Sequence, residues 1–108
     1  MTNEEWAWLA AMIDAEGSFG SPERSFFVIF CSTDLDTVQK VARLLQRDIH
    51  PKKHNGLGRK QQFYTEIYGT PAINIVLGIY NMLSAGRKDQ VRRHMVRYGG
   101  IDAIIKRS

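Results

Sequence analysis

The nine residues from Leu9 to Gly17 constrain the fold of this chain more than any other stretch. They read Leu-Ala-Ala-Met-Ile-Asp-Ala-Glu-Gly, and Trp6, Leu9 and Ile13 recur at the spacing of one helix face. Such a helix can bury one side in its own core and lay the other side against a second helix. Gly17 is expected just beyond the helix end with a positive φ. The second face carries small residues and one acid: Ala7, Ala10, Ala11 and Asp14.

Two acids at the end of this helix need an explanation. Glu16 lies beside the negative end of the helix dipole, a placement that costs about 0.3–1 kcal/mol when nothing offsets it. We therefore expect another group to compensate Glu16. Asp14 has two open interpretations, a side chain that bonds backbone at the helix end or part of a functional site. Taken alone, an acid before a terminal glycine is usually a solvated carboxylate.

Length and composition indicate one intracellular domain. The chain has 108 residues, of which 44% are hydrophobic and 10% aromatic, enough for a single core over residues 1–108. No apolar run approaches a membrane span, and the first residues lack the basic start of a signal peptide. We expect a soluble protein in the cytoplasm of a bacterial or phage host, or in an organelle. The single Cys31 excludes an internal disulfide and is expected to be a small buried hydrophobe.

The charge is distributed unevenly along the chain. The net charge of +4 combines −6 for residues 1–36, with one base and seven acids, and +10 for residues 37–108, with fourteen bases and four acids. Clustered Lys and Arg with a pI near 9.5 are typical of nucleic-acid binding. An ordinary solvated basic surface is the alternative.

The remaining chain alternates between strand and helix patterns. Turn residues and β-branched or aromatic runs predict two hairpins, and caps with apolar stripes predict three further helices. Asp34 is expected to cap one helix, and Thr70, before Pro71, is expected to cap the next. The helix that Thr70 caps should pack beside the helix that Asp34 caps. The predicted strands are residues 18–20, 24–32, 49–52 and 61–68; the helices after the first are residues 35–47, 71–83 and 87–98.

The first seven of these elements give an αββαββα pattern, an α+β fold with a four-stranded antiparallel sheet, and the last predicted helix follows it. Helices should cover one face, and the other face would form a saddle suited to DNA. The second hairpin has a basic tip, with Lys52, Lys53, Arg59 and Lys60 around a flexible Asn-Gly segment, which suits a ribbon in a groove. A merely solvated charged loop is the alternative. Pro51 limits its strand to an edge, and which side of the strand after the tip faces outward stays open.

The stretch Leu9–Gly17 resembles the LAGLIDADG motif of homing endonucleases. Six residues match letter for letter, Met12 and Glu16 are conservative replacements, and Ala11 replaces the first glycine. The resemblance continues through Gly17-Ser18-Phe19 and the later elements. It implies that two motif helices pack side by side, and because the chain has one motif it implies a homodimer. The implied interface residues are Ala7, Ala10, Ala11 and Asp14.

The resemblance also implies an activity and its residues. The protein would be a site-specific double-strand DNA endonuclease that hydrolyses a palindromic or pseudo-palindromic site and takes part in intron or intein mobility. Glu16, with Ala15, would bind Mg²⁺ or another divalent cation such as Mn²⁺. The run that contains Arg87 and Lys88 resembles a lysine-rich run in which the family carries a catalytic basic residue. Lys88 is the candidate for that residue, with Arg87 behind it, although these cations could merely touch phosphate or water. The expected DNA-binding residues are Arg24, His50, Lys52, Lys53, Arg59, Lys60, Gln61 and Arg87.

Two other functions remain open from the sequence. Where the family often places a glutamine after the second strand to order water, this chain has Ser32 or Thr33, which counts against efficient cleavage. The same fold could therefore be a DNA-binding regulator or an RNA maturase without nuclease activity. A basic interaction domain without a nucleic-acid partner is the third possibility. The three histidines show no metal-ligand spacing, and no serine or cysteine nucleophile is indicated.

Overall fold

The architecture is an α+β fold in the expected order, with a fourth helix after the αββαββα unit. The computed structural model describes residues 1–22, 25–53 and 58–101. Short 3₁₀ segments, Tyr80–Met82 and Val96–Tyr98, follow the last two helices. The helices are α1 Asn3–Glu16, α2 Leu35–Leu45, α3 Gly69–Ile79 and α4 Ala85–Met95, and the strands are β1 Gly17–Gly20, β2 Phe27–Ser32, β3 His50–Lys52 and β4 Gln62–Tyr68.

The four strands form one antiparallel sheet in the order β1-β2-β4-β3. The apolar strand β2 is therefore interior, as its sequence predicted. Strand β3 lies at an edge, which confirms the prediction from Pro51 because proline cannot donate a ladder hydrogen bond. No helix in the described ranges is long and apolar enough to cross a membrane.

Alternation along the strands separates a covered face from an open face. On the covered face Val28, Phe30, Thr65 and Ile67 are buried beneath the helices. The outward set on β4 is therefore Gln62, Tyr64, Glu66 and Tyr68, which answers a question that the sequence left open. Cys31 shares this open face and is only half-buried, so the expectation of a buried thiol was wrong.

Helix α1 is the centre of the helical layer. A reciprocal capping box between Thr2 and Glu5 starts it. Leu9, Ala10 and Ile13 are buried in the core. Its partially buried tryptophans face the neighbouring helices, where Lys40 Nζ lies 4.1 Å from the Trp8 ring centroid. Helix α1 thus contacts both α2 and α3.

Helix α3 packs against α1, so the expectation that it would lie beside α2 was wrong. The reason is the close contact between α3 and the Trp6 ring of α1. A side-chain carbon on Gly78 would collide with the Trp6 ring, so the bare backbone of α3 provides the surface on which that ring lies. Helix α2 does cover the sheet as predicted, with Asp34 accepting the backbone N–H of Thr37 at its start.

Two expected helix boundaries differ in the structure. Gly17 has φ −74°, so it is extended rather than left-handed, and the chain passes directly from α1 into β1. Glycine is needed there for space, since a side-chain carbon would lie 2.6 Å from the Ile13 carbonyl oxygen. Helix α3 begins at Gly69, with no side-chain cap from Thr70. Gly69 takes φ +70°, and its N–H donates to the Phe26 carbonyl (2.8 Å), which fixes the turn.

A buried hydroxyl gives a stability prediction. Thr65 is fully buried, and its Oγ1 has no hydrogen-bond partner among the described residues. An unsatisfied buried polar group costs about 1–3 kcal/mol. Thr65→Val should therefore raise the free energy of unfolding by about 1 kcal/mol. Urea unfolding should show a higher midpoint with an unchanged slope. Thr65→Ser, which keeps the hydroxyl and loses the methyl, should lower it, and a destabilised valine variant would show that the hydroxyl is satisfied.

Candidate functional site

The end of α1 and the start of α4 meet through Asp14. The backbone N–H of Ser84, which precedes α4, donates to Asp14 Oδ1 over 2.7 Å. Arg87 Nε donates to the Asp14 carbonyl oxygen (2.9 Å), and its Nη1 donates to Gln90 Oε1 (2.9 Å). The guanidinium therefore offsets the negative end of the α1 dipole. This is the compensation that the sequence led us to expect beside Glu16.

These contacts decide between the two interpretations of Asp14. The hydrogen bond from Ser84 lowers the pKa of the Asp14 carboxyl below its ordinary value of 3.8, and Arg87 adds to the shift. Asp14 thus bonds backbone, across two helices, within its own chain. Its carboxylate therefore has a structural role within one chain, and its place in a dimer interface stays a prediction.

The lowered pKa of Asp14 predicts an acid limb in stability. A carboxyl with a lower pKa in the folded state contributes fully above pH 3.8 and loses that contribution as the pH falls through the folded pKa. The free energy of unfolding should therefore decrease below about pH 4, and less steeply in Asp14→Asn. Urea unfolding across this range measures both curves. Asp36→Asn, on the exposed side of α2, is the control for removing one carboxylate, and identical limbs in wild type and Asp14→Asn would contradict the assignment.

Glu16 is the last residue of α1 and lies immediately before the edge strand β1. Its side chain is exposed, and no hydrogen bond or ion pair with a described residue occupies its carboxylate. Ala15 beside it is also exposed. Lys88 is half-buried in the first turn of α4, with its Nζ 5.8 Å from the Tyr80 ring centroid. The structure thus brings the helix that carries Lys88 to the helix end that carries Glu16.

The free face of α1 carries two of the four residues predicted for the interface. Ala7 and Ala11 are exposed, as expected. Ala10 is only 1% exposed and packs in the core of its own chain, so its assignment to an interface was wrong. The helix is turned so that Ala15, four residues after Ala11, continues the exposed stripe. We call Ala7, Ala11 and Ala15 the alanine stripe.

The open face of the sheet has a regular arrangement across its strands. Ile29 pairs with Ser18 on β1 and with Glu66 on β4. The next row runs from Cys31 through Tyr64 to His50, and the last joins Gln62 to Lys52. A depression of about 420 Å³ lies over these rows, and six side chains line it: Ser18, Ile29, Cys31, Lys52, Tyr64 and Glu66.

The expected DNA-binding residues differ in how exposed and how engaged their side chains are. Residues of the basic tip are exposed, and the His50 ring lies 5.2 Å from the Tyr64 ring on the open face. Gln61 uses its amide nitrogen within the tip, donating to the carbonyls of Lys52 and Gln62. Arg87 donates to Asp14 and Gln90 at the junction of α1 and α4, so its DNA role stays a prediction. Arg24 and residues 54–57 lie outside the described residues. The exposed tip cations are Lys52, Lys53, Arg59 and Lys60.

The sequence did not identify the centre of the open face. Tyr64 and Glu66 belonged to one of two sets of β4 residues that could face outward, and the sequence did not decide between them. Ile29 lies on β2, which is apolar on both faces, so its side was not predicted either. Ser32, which with Thr33 was a candidate for the position of the family's glutamine, uses its hydroxyl to accept the N–H of Asp34 (3.1 Å). A glutamine does approach the end of β2 from the adjacent strand, where Gln62 Oε1 lies 3.9 Å from Cys31 Sγ. Strand pairing rather than chain order places it there.

Comparison with solved structures identifies the fold. One neighbour is the homing endonuclease I-CvuI in complex with its target in the presence of Ca²⁺, with a TM-score of 0.62 and 16% identity. A second structure shows I-CvuI with the I-CreI target in the presence of Mg²⁺, with DNA not cleaved, a TM-score of 0.57 and 15% identity. The chain has the fold of these proteins. Each match covers 86% of this chain and 65% of the neighbour, while no protein-family model and no curated protein matches.

Proposed function

We propose that this protein is a site-specific DNA endonuclease of the LAGLIDADG homing-endonuclease type that acts as a homodimer. The observation that carries the proposal is the position of Glu16, an acid at the end of the central helix with no partner among the described residues, beside the edge of an open antiparallel sheet. A protein that only bound DNA would gain nothing from such an acid, because a carboxylate repels phosphates. The neighbours with the same fold were solved in complex with DNA targets, which supports DNA as the partner of this chain.

The ligands available from one chain favour two chains at the proposed metal site. Within the described ranges, no cluster of three or more His, Cys, Asp or Glu side chains could hold a cation. Glu16 is nonetheless a hard oxygen donor with no other partner in the described part of the chain, which fits Mg²⁺ or Mn²⁺. Glu16 and Ala15 from each chain, with phosphate oxygens of DNA, would hold the cation, whose chemistry is to polarise the phosphate and activate water.

The chain's own residues prepare this site. Arg87 neutralises the carbonyl end of α1, which lowers the cost of placing Glu16 there. Asp14 fixes α4 against α1 and so sets the position of Lys88. Lys88 would contribute positive charge to the developing phosphorane-like transition state. Small side chains along the alanine stripe allow a second α1 to approach closely, because backbones separated only by alanine can pack at short distance.

Binding without cleavage is the second candidate function. Neither candidate for the position of the family's glutamine, Ser32 or Thr33, is a glutamine, and the Ser32 hydroxyl is engaged with the Asp34 backbone and is not presented toward the open face. This observation favours a DNA-binding regulator or RNA maturase over an efficient nuclease. Filter retention of duplex DNA at increasing salt tests whether nucleic acid is bound, and nicking of supercoiled plasmid with and without Mg²⁺ separates the two candidates. DNA retention without Mg²⁺-dependent nicking would replace the endonuclease by the regulator.

The basic tip gives a quantitative prediction for binding. Lys52, Lys53, Arg59 and Lys60 are exposed at one end of the sheet. If they bind phosphates, Lys53→Gln with Lys60→Gln should lower the slope of log K against log salt by about 0.9 for every phosphate that a chain no longer neutralises. Arg43→Gln with Arg47→Gln, on the helical side of the molecule, removes the same charge away from the open face and should leave the slope unchanged. Equal slopes for the tip variant and wild type would exclude phosphate binding by the tip.

A further inference from the structure

We infer that the centre of the open face reads a T·A base pair, with Ile29 against the thymine methyl group and Glu66 accepting a hydrogen bond from the N6 amino group of adenine. This specificity rests on the proposed DNA-binding function and adds the base that this chain selects. Ile29 and Glu66 are direct cross-strand partners between β2 and β4. Side chains in such pairs begin about 4.5–5.5 Å apart. An apolar group and an acceptor therefore stand side by side on the surface.

The neighbouring side chains leave room for Ile29 and orient Glu66. Ile29 is flanked on its other side by the small residue Ser18, so its branched side chain has room above the sheet. The hydroxyl of Tyr68 donates to Glu66 Oε2 over 3.0 Å. The Tyr68 ring is itself held by the Phe27 ring, with centroids 5.6 Å apart. The hydrogen bond to Oε2 thus orients the Glu66 carboxylate, and its Oε1 has no partner among the described residues.

Charge decides what covers this surface. The floor of the depression is largely apolar and carries Glu66 as the one acid among its six lining residues, while Lys52 lines it and the tip cations stand at one end. A groove of DNA fits that arrangement, because phosphates would meet the cations and base edges would meet the floor. A protein surface would have to bury the Glu66 carboxylate, which costs free energy unless the partner supplies a hydrogen-bond donor.

The major-groove edges distinguish the four base pairs at this position. T·A presents a methyl group and, on the partner base, an amino donor. C·G also offers an amino donor, but it lacks the methyl group, so only T·A gives Ile29 an apolar contact. Guanine is usually read by Arg or Lys. The open face of the described strands carries one such residue, Lys52, and it lies beside Gln62, two rows away from Ile29 and Glu66. The pair Ile29 and Glu66 therefore complements T·A best.

The experiment uses thymine and uracil in the same duplex. Wild-type protein first selects duplexes from a randomised library in Ca²⁺, and the best-retained sequence is then synthesised with uracil at each thymine in turn. Uracil keeps the base pair but lacks the methyl, so affinity should fall about four-fold at one thymine in each half-site. In Ile29→Ala that ratio should approach one. Val96→Ala, whose side chain is 71% exposed on a helical turn outside the sheet, should keep the wild-type ratio.

The outcomes separate this inference from the proposed function. If wild type retains no duplex, the DNA-binding function itself fails. If it retains duplexes but binds thymine and uracil equally at every position, or if Ile29→Ala keeps the wild-type ratio, the assigned contact is wrong and DNA binding stands. Ile29→Val guards against misfolding of the alanine variant, since it removes one methylene and should give an intermediate ratio. Circular dichroism confirms that each variant is folded.

Discussion

Glu16→Gln should abolish cleavage while DNA binding survives or tightens. The substitution keeps the shape of the side chain but removes the charge that would hold a divalent cation. Without that charge, repulsion between this helix end and the phosphates also decreases. Cleavage should therefore fall below detection, whereas the dissociation constant for the same duplex should be unchanged or lower. Binding by the variant should no longer depend on Mg²⁺.

The measurement needs a DNA that wild type cuts, with cleavage and binding each assayed with and without Mg²⁺. Glu4→Gln is the matched control, because Glu4 is exposed on the same helix at its opposite end. It should cut and bind like wild type. Persistent cleavage by Glu16→Gln would remove this residue from the metal site. Loss of binding together with cleavage would make Glu16 a structural helix end instead.

Local patterns predicted most of the fold because each element carries its own signals. The cap at Asp34 reflects an interaction within a few residues. The apolar stripe of α2 and strand β2, which is apolar on both faces, follow the periods that burial imposes on helices and strands. Pro51 placed β3 at an edge for an equally local reason, its missing N–H. Such features survive in the structure because tertiary packing reinforces them.

Predictions failed where distant residues decide the geometry. The sequence could not show that α1 is rotated so that Ala10 faces the core and Ala15 faces outward, because small residues occupy both faces. It could not show that Gly17 is required by the Ile13 carbonyl rather than by a positive φ. The open-face pair of Ile29 and Glu66 depends on strand register, which is a property of two strands together.

Ala11→Leu should convert the proposed dimer into single chains without unfolding them. Ala11 is exposed in the middle of the alanine stripe, so leucine has space in one chain and collides only when a second α1 approaches. Overpacking of this kind costs about 1–3 kcal/mol, and two-fold symmetry imposes it in both chains. Sedimentation should show a dimer for wild type and a monomer for the variant at micromolar concentration. At concentrations where both proteins are monomeric, their thermal midpoints should be equal. Gln39→Leu makes a comparable change on the exposed face of α2 and should stay dimeric. A wild-type protein that sediments as a monomer with and without DNA would exclude the dimer, and a dimeric Ala11→Leu would place the interface elsewhere.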